Sequence, residues 1–289
     1  YPDFEFLVAQ TVLAVDHLQG TARLEGWDID EGHLKEELDY LASLPVAARF
    51  TAPQKERIRA VADVNDAGFR ANVAKLKGNI HAGDIYQVVP SRAFSVDRPN
   101  ALAAYRALRK TNPSPYMFYV RGATYELFGA SPESNLKFTS EDRQVQLYPI
   151  AGTRPRGLNP DGSINHELDI RNELDMRTDQ KEIAEHTMLV DLARNDLARV
   201  AVPRSRQVAE LLHVDRYSRV MHLVSRVTAT LHPDFDALDA YRACMNMGTL
   251  TGAPKIRATE LVRRTEGKRR GSYGGAVGYL RGDGAMDNC

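Results

Sequence analysis

Residues 179–196, DQKEIAEHTMLVDLARND, combine acidic residues, a histidine and an apolar run at a spacing that predicts one helix. On a helix, the side chains of Glu182, Glu185 and His186 project within an arc of about 100° on one face. Two glutamates at this spacing repel each other by roughly a few tenths of a kcal/mol, whereas a bound cation would make their proximity favourable. The stretch is therefore either a solvated helix face or a helix that binds a cation.

Carboxylate oxygens without cysteine favour magnesium, because Mg²⁺ prefers oxygen ligands and keeps several of its waters. Zinc is disfavoured because the chain lacks the His-Glu-x-x-His pattern. The competing interpretation is electrostatic, since Lys181 and Arg177 lie close enough in sequence to pair with the glutamates. The helix alone does not decide between the two.

A second stretch, YPIAGTRPRG at residues 148–157, predicts a strand that runs into Gly152 and Thr153. The backbone N–H groups exposed by a glycine, together with a threonine hydroxyl, can bind a carboxylate. The same pair is also common in ordinary turns. Another Gly-Thr pair, in NMGTLTGAPKIRATEL at residues 246–261, precedes a helix predicted to begin near Lys255.

The composition argues against several classes of protein. Lysine plus arginine total 38 and aspartate plus glutamate total 38, so the chain lacks the basic excess of a nucleic-acid-binding protein. The two cysteines, Cys244 and Cys289, are too few for a disulfide framework or a cysteine metal cluster, which favours a reducing, cytoplasmic compartment. With no apolar run of about 20 residues and no signal-peptide pattern, the sequence predicts a soluble protein without a membrane partner.

The order of the predicted elements indicates an α+β fold. Residues 4–27 predict a hairpin, and residues 83–96 predict a strand ended by a proline, with further strand-like runs over 116–148. Helices are predicted over residues 33–44, 65–81, 100–112, 168–199 and 236–244. Strands and helices thus occur in blocks, which is typical of mainly antiparallel sheets packed with helices.

Eight segments, taken in this order, carry a resemblance to a known family: GDIYQVVPSRAF, NPSPYMF, FGASPES, YPIAGTRPRG, KEIAEHTMLVDLARND, VMHLVSRV, NMGTLTGAPKIRATEL and RRGSYGGAVGY. Together they closely resemble the chorismate-utilising enzymes, and among these the large subunits (component I) of anthranilate synthases. The resemblance implies the fold of that family. It also implies a lyase of tryptophan biosynthesis that converts chorismate and ammonia to anthranilate and pyruvate, with ammonia channelled from glutamine by a partner amidotransferase subunit.

The resemblance also implies roles for individual residues. Glu185 and Glu182 are expected to bind Mg²⁺, and Glu133 is expected to act as general acid toward the C4 hydroxyl of chorismate, with His222 and Thr249 in the same region. Substrate contacts are expected from Gly152, Thr153 and Tyr273. A tryptophan feedback site is expected to include Pro115, Tyr116 and Met117.

Two positions distinguish members of the family. Members that add water have a lysine base where this chain has Gln87, and members that work through a covalent lysine have it where this chain has Ala151. A glutamine cannot take a proton at neutral pH and an alanine is no nucleophile, so direct attack by ammonia is favoured. An aminodeoxychorismate synthase component I, or a catalytically silent binding module, remains an alternative.

The ends of the sequence predict a fragment, because it begins at Tyr1 without methionine and stops at Cys289. On this interpretation residues 1–63 are the end of an N-terminal region with a linker over 45–63. Residues 64–289 are a chorismate-binding domain whose further substrate and metal residues lie beyond Cys289. We expect the chain alone to be inactive or nearly so, and its tryptophan site to be incomplete.

Overall fold

A computed structural model of the chain describes residues 3–27, 30–45, 59–97 and 100–289. The chain divides into two compact units, Tyr1–Glu56 and Arg57–Cys289. The predicted linker over 45–63 lies largely outside the described residues, so the predicted domain division after residue 63 stays a prediction.

The first unit contains the predicted hairpin, formed by β1 (Thr11–Asp16) and β2 (Thr21–Gly26). The carboxylate of Asp16 closes its turn by accepting hydrogen bonds from the backbone N–H groups of Leu18 at 2.8 Å and Gln19 at 2.9 Å. Helix α1 (Glu31–Ser43) follows, and the side chain of Asp30 caps its N-terminus. The predictions of a hairpin over 4–27 and a helix over 33–44 are confirmed.

The second unit holds the remaining elements. Its helices are α2 (Asp66–His81), α3 (Ala101–Thr111), α4 (His166–Thr178), α5 (Gln180–Leu197), α6 (Ala237–Cys244), α7 (Gly248–Thr251) and α8 (Lys255–Glu266). Its strands are β3 (Val61–Ala62), β4 (Gln87–Val88), β5 (Phe94–Ser95), β6 (Tyr116–Arg121), β7 (Glu126–Ser131), β8 (Leu136–Thr139), β9 (Gln144–Leu147), β10 (Ile150–Pro155), β11 (Gln207–Arg216), β12 (Val220–Thr230), β13 (Gly252–Ala253), β14 (Gly278–Leu280) and β15 (Met286–Asn288).

Strand β12 organises the main, seven-stranded sheet. It pairs with β11 along one edge, and with β9 and then β10 along the other. Strands β8, β15 and β14 continue the sheet beyond β9. Every pairing between described strands is antiparallel, which confirms the predicted α+β class with mainly antiparallel sheets.

One face of β12 is buried under helices. Alternate residues point to this face, as strand geometry requires, and each is at most 3% exposed: Met221, Leu223, Ser225, Val227 and Ala229. Helix α4 contacts this face through Met176, and helix α5 through Val190, Ala193 and Leu197. Because the buried residues of α5 recur three and four positions apart, its opposite face is free to carry polar groups.

The strand predicted over residues 83–96 is wrong in its extent. Only Gln87–Val88 and Phe94–Ser95 are strands, and they pair with β13 and β3, respectively, in separate two-stranded sheets. Pro90 lies between them and has no N–H group to donate, so it cannot continue a ladder there. Across the described parts of the chain, no helix combines the length and apolar character needed to cross a membrane.

Leu197 of α5 is fully buried, whereas Leu174 of α4 is 57% exposed. We expect Leu197→Ala to lower the free energy of unfolding by about 2–5 kcal/mol, because it removes buried apolar surface and leaves a cavity. The control Leu174→Ala should change it by less than about 0.5 kcal/mol. Urea unfolding followed by circular dichroism measures both, and equal losses would contradict the assignment of α5 to the core.

Candidate functional site

A pocket of about 300 Å³ opens where α5, β10, β4 and α7 meet. Its lining residues are Gln87, Ile150, Ala151, Gly152, Thr153, Glu182, Glu185, Leu189 and Thr249. Seven of the residues singled out from the sequence are therefore brought together: Gln87, Ala151, Gly152, Thr153, Glu182, Glu185 and Thr249. We call this cavity the main pocket.

The strand wall of the main pocket is a β-bulge. Ile150 lies opposite Val224 and Thr153 lies opposite His222, so β10 contains one extra residue between these pairs. Gly152 sits in the bulge with a φ of 95°, a region that favours glycine. A Cβ atom there would also lie 3.0 Å from the side chain of Leu223. Both observations favour glycine at this position, and the bulge turns Gly152 and Thr153 toward the pocket.

His186 fixes helix α5 against this bulge. The imidazole is fully buried, with Nδ1 2.9 Å from the carbonyl oxygen of Ala151 and Nε2 2.6 Å from the hydroxyl of Ser225. A carbonyl only accepts, so Nδ1 carries the proton and Nε2 accepts from Ser225, whose oxygen accepts in turn from the N–H of Leu212 at 2.9 Å. Burial lowers the pKa of His186, which keeps the ring neutral.

His186 has no role among the sequence-based predictions, although its spacing in the helix indicates burial. His186 lies three, four and seven residues before Leu189, Val190 and Ala193, so it belongs to the buried face of the helix. The helix arc that contains Glu182, Glu185 and His186 therefore lies partly on the pocket side of α5 and partly on its buried side. The glutamates face the pocket, and the histidine faces the sheet.

Glu185 is held by a neutral donor. The amide nitrogen of Gln87 donates to Oε1 of Glu185 at 2.7 Å. The amide oxygen of Gln87 is buried and has no hydrogen-bond partner among the described residues. This hydrogen bond occupies one carboxylate oxygen of Glu185, Oε1, and does not involve the second, Oε2.

Glu182 pairs with an arginine that is distant in sequence, and not with the nearby Lys181 or Arg177. Nη1 of Arg154, on β10, donates to Oε1 of Glu182 at 3.2 Å. Arg177, which the sequence offered as a partner, pairs instead with Glu173 at 2.9 Å. None of the residues that line the main pocket in the described ranges is lysine or arginine.

Glu133 lies at a second cavity of about 20 Å³, which shares Leu189 and Thr249 with the main pocket. Burial raises the pKa of Glu133 to about 8, against smaller lowering effects from the Thr249 hydroxyl and the backbone of Ile150. The Oε1 atom of Glu133 and the Oγ1 atom of Thr249 are buried and lack partners in the described part of the chain. Glu133 is thus a carboxylic acid that keeps its proton near neutral pH.

His222 supports the strand wall from β12 and is not among the residues that line the main pocket. Its Nδ1 atom lies 2.9 Å from the hydroxyl of Thr153. Burial lowers the pKa of His222, against raising effects from the backbone of Gly152 and the charge of Asp215. The imidazole therefore contacts Thr153 directly and influences the pocket only by positioning that residue.

The remaining predicted residues lie away from the main pocket. Tyr273 is 50% exposed, in a turn after α8, with its ring centre 5.5 Å from the guanidinium of Arg270. Tyr116 and Met117 begin β6, directly after Pro115. The hydroxyl of Tyr116 donates to Asp287 at 2.9 Å. The structure therefore does not bring Tyr273 or the three residues 115–117 to the lining of the pocket.

Known proteins resemble this chain both in sequence and in fold. The sequence profile of a family described as chorismate binding enzyme matches residues 1–289. The chain is 52% identical over 296 residues to anthranilate synthase component 1 of Salmonella typhimurium, and 53% identical over 295 residues to that of Vibrio parahaemolyticus. These matches cover 100% of this chain but 57% and 54% of the two relatives, so the chain spans about half the length of the curated relatives it matches.

Solved structures agree with the sequence matches. Anthranilate synthase component I of Streptococcus pneumoniae superimposes with a TM-score of 0.84 at 32% identity, covering 97% of this chain and 62% of that protein. The menaquinone-specific isochorismate synthase of Escherichia coli gives a TM-score of 0.74 at 21% identity, covering 93% of this chain and 62% of that one. At 21% identity the second likeness concerns the fold alone.

The buried, neutral state of His186 has a consequence for stability. In the unfolded chain the imidazole takes up a proton below its ordinary pKa of about 6.5, and in the folded protein it does not. This contribution is present above pH 6.5 and is lost as the pH falls toward the lowered folded-state pKa, by up to about 1.4 kcal/mol per pH unit. We expect His186→Gln to show a shallower loss of unfolding free energy between pH 7 and pH 5.5 than the unsubstituted protein, measured by urea unfolding. Parallel pH curves for the two proteins would show that this imidazole is not held neutral.

Proposed function

The chain belongs to the family of chorismate binding enzymes, and from that premise we propose that it carries the synthase site of an anthranilate synthase component I. The reaction converts chorismate and ammonia to anthranilate, pyruvate and water. A partner amidotransferase subunit supplies the ammonia from glutamine. The identity to several proteins named anthranilate synthase component 1, over the whole of this chain, carries the proposal.

The residues at the two distinguishing positions support amination of the substrate. Gln87 and Ala151 both line the main pocket, so a lysine at either position would face a ligand there. The amide of Gln87 is engaged with Glu185 and has no basic atom that could activate water. Ammonia needs no such base, because its lone pair attacks C2 directly while the C4 hydroxyl leaves.

The donor set of the pocket supports magnesium as the cofactor. Two carboxylates face the main pocket, and a dianionic substrate would be repelled from them without a cation. No cluster of three or more histidine, cysteine, aspartate or glutamate side chains suited to a metal occurs in the described ranges. Two glutamates suit Mg²⁺, which commonly takes one or two protein carboxylates and completes its shell with water and substrate oxygens. Glu185 and Glu182 would hold it, and its positive charge would orient and neutralise the substrate carboxylate.

Glu133 is suited to the general acid of this reaction. Its raised pKa keeps the proton available at neutral pH, and transfer of that proton lets the C4 hydroxyl leave as water. Deprotonation of the new C2 ammonium group can return a proton to the carboxylate. Loss of the C2 proton with cleavage of the C3–O bond then releases enolpyruvate and gives the aromatic ring, and enolpyruvate takes up one proton to become pyruvate.

The tryptophan feedback site and the cytoplasmic location complete the proposal. Tyr116 of β6 lies opposite Ser131 of β7, and the backbone N–H of Glu133 donates to the Ser131 hydroxyl at 3.2 Å. A ligand on Pro115, Tyr116 and Met117 would therefore be connected to the general acid by one strand pairing and one hydrogen bond to the Ser131 hydroxyl. This short connection favours an inhibitory role for that strand.

The first test is incubation of a protein as long as the curated relatives, which this chain covers by 57% and 54%, with chorismate, ammonium and Mg²⁺. The products are identified by chromatography and mass spectrometry. We expect anthranilate and pyruvate. Aminodeoxychorismate would identify the alternative synthase, and binding of chorismate without turnover would identify a silent module. Product from the 289-residue chain alone would contradict the expectation that this chain is inactive by itself.

Glu185→Gln tests the metal role. The substitution keeps the size of the side chain and removes its charge, so we expect Mg²⁺-dependent formation of anthranilate to fall by about 100-fold. Glu141→Gln, at an exposed glutamate outside the pocket, is the matched control and should keep the rate. A Glu185→Gln protein with unchanged rate and Mg²⁺ dependence would exclude this residue as a ligand.

The protonation of Glu133 predicts the pH dependence of the rate. The acid form is present below its pKa of about 8, so kcat/KM for chorismate should fall as the pH rises through 8. The assay keeps the concentration of free NH₃ constant, since the supply of nucleophile also changes with pH. Glu133→Gln should lower kcat by about 10²–10⁴-fold. In this variant kcat/KM should no longer fall above pH 8, and the thermal melting transition should be retained. An unaltered pH profile in that variant would assign the acid to another group.

A further inference from the structure

Arg154 joins the strand wall of the main pocket to the start of helix α5. It follows Gly152 and Thr153 on β10, and its guanidinium contacts three carboxylates. The distances are 2.6 Å from Nε to Asp175, 2.9 Å from Nη2 to Asp179 and 3.2 Å from Nη1 to Glu182. Nη1 also donates to the carbonyl oxygen of Thr153 at 3.0 Å.

The two shorter contacts fix the guanidinium without the help of Glu182. Asp179 is itself immobilised, because its other oxygen caps α5 by accepting from the N–H groups of Lys181 and Glu182. The planar fork of an arginine keeps its donors in fixed directions once two of them are engaged. Nη1 is therefore aimed at Glu182 by atoms outside the pocket.

The charge balance indicates that Arg154 does not repel a cation from the pocket. The guanidinium carries one positive charge, and the carboxylates of Asp175 and Asp179 that contact it carry two negative charges, even without Glu182. Its field at the pocket is thus already compensated. The effect of Arg154 on Glu182 is therefore that of a hydrogen-bond donor.

The two pocket glutamates are held in the same manner. Glu182 accepts from Arg154 through Oε1, and Glu185 accepts from Gln87 through Oε1. Each contact uses one carboxylate oxygen and leaves the other, Oε2, available to a cation. Hydrogen bonds of this kind to metal-binding carboxylates orient them, and their loss commonly lowers metal affinity by about 10–100-fold.

We propose that Arg154 is a positioning residue of the metal site: it holds Glu182 by one oxygen so that the other binds the divalent cation beside Glu185. The inference rests on the proposed function. It adds that one side chain fixes both Gly152–Thr153, the segment proposed to contact the substrate, and Glu182, the second proposed metal ligand. Arg154 itself does not line the main pocket.

The test is binding of Mn²⁺, a paramagnetic substitute for Mg²⁺ with the same preference for oxygen ligands, followed by electron paramagnetic resonance of the free ion with Mg²⁺ as competitor. Arg154→Lys keeps the charge and loses the fork, and we expect it to weaken Mn²⁺ binding by about tenfold or more. Asp175→Asn removes only the closest anchor of the guanidinium and should weaken binding less. Arg226→Lys, in a separate arginine–glutamate pair with Glu210 at 2.7 Å, is the matched control and should bind as the parent does.

A double-mutant cycle identifies the route of the effect. If Arg154 acts through Glu182, then Arg154→Lys should have no further effect on Mn²⁺ affinity in a Glu182→Gln background. Equal losses in both backgrounds, unchanged affinity in Arg154→Lys, or tighter binding in Arg154→Gln would each overturn the inference. Binding that Glu185→Gln leaves unaltered would instead refute the proposed metal site itself. Melting curves without metal exclude variants that fail to fold.

Discussion

The hydrogen bond from His186 to the carbonyl of Ala151 is the contact on which the rest of the site depends. A bulge in β10 removes this carbonyl from the ladder with β12, and a buried carbonyl without a partner would cost about 1–3 kcal/mol. The imidazole satisfies it from α5, while Ser225 of β12 satisfies the other ring nitrogen. Helix rotation and bulge geometry are therefore set by one side chain. With the histidine directed into the sheet, helical spacing turns Glu182 and Glu185 toward the pocket.

The pocket concentrates groups that the folded protein does not itself satisfy. Buried oxygen atoms of Gln87, Glu133 and Thr249 have no partner among the described residues, and all three residues border the main pocket or the cavity beside it. Desolvated polar atoms of this kind are costly unless a ligand or water engages them. They favour a ligand that offers both hydrogen-bond donors and acceptors over an apolar one of the same size. The same desolvation keeps Glu133 protonated, so selectivity and acidity have one physical origin.

Much of this could be predicted from the sequence, because the signals were local. Helices α2, α3 and α6 begin directly after Asn65, Asn100 and Asp236, whose side chains cap them, and periodic apolar residues follow. The motifs supplied the residues around the pocket. The partner of Glu182 could not be predicted, since Arg154 lies 28 residues away on β10 and meets the helix only in the folded chain. For the same reason, the burial of His186 was visible in its spacing, but its contact with Ala151 was not.

Strand β12 belongs to the core and to the site at once. Its buried face packs under α4 and α5, while His222 on the same strand supports Thr153. The opposite side of the pocket is attached more lightly, since Gln87 lies on the two-residue strand β4 and Thr249 on the four-residue helix α7. The pocket thus has one wall anchored in the main sheet and one wall built from short elements. A shift of β4 or α7 would change the shape of the pocket while α5, which holds both carboxylates proposed for the cation, stays packed on the sheet.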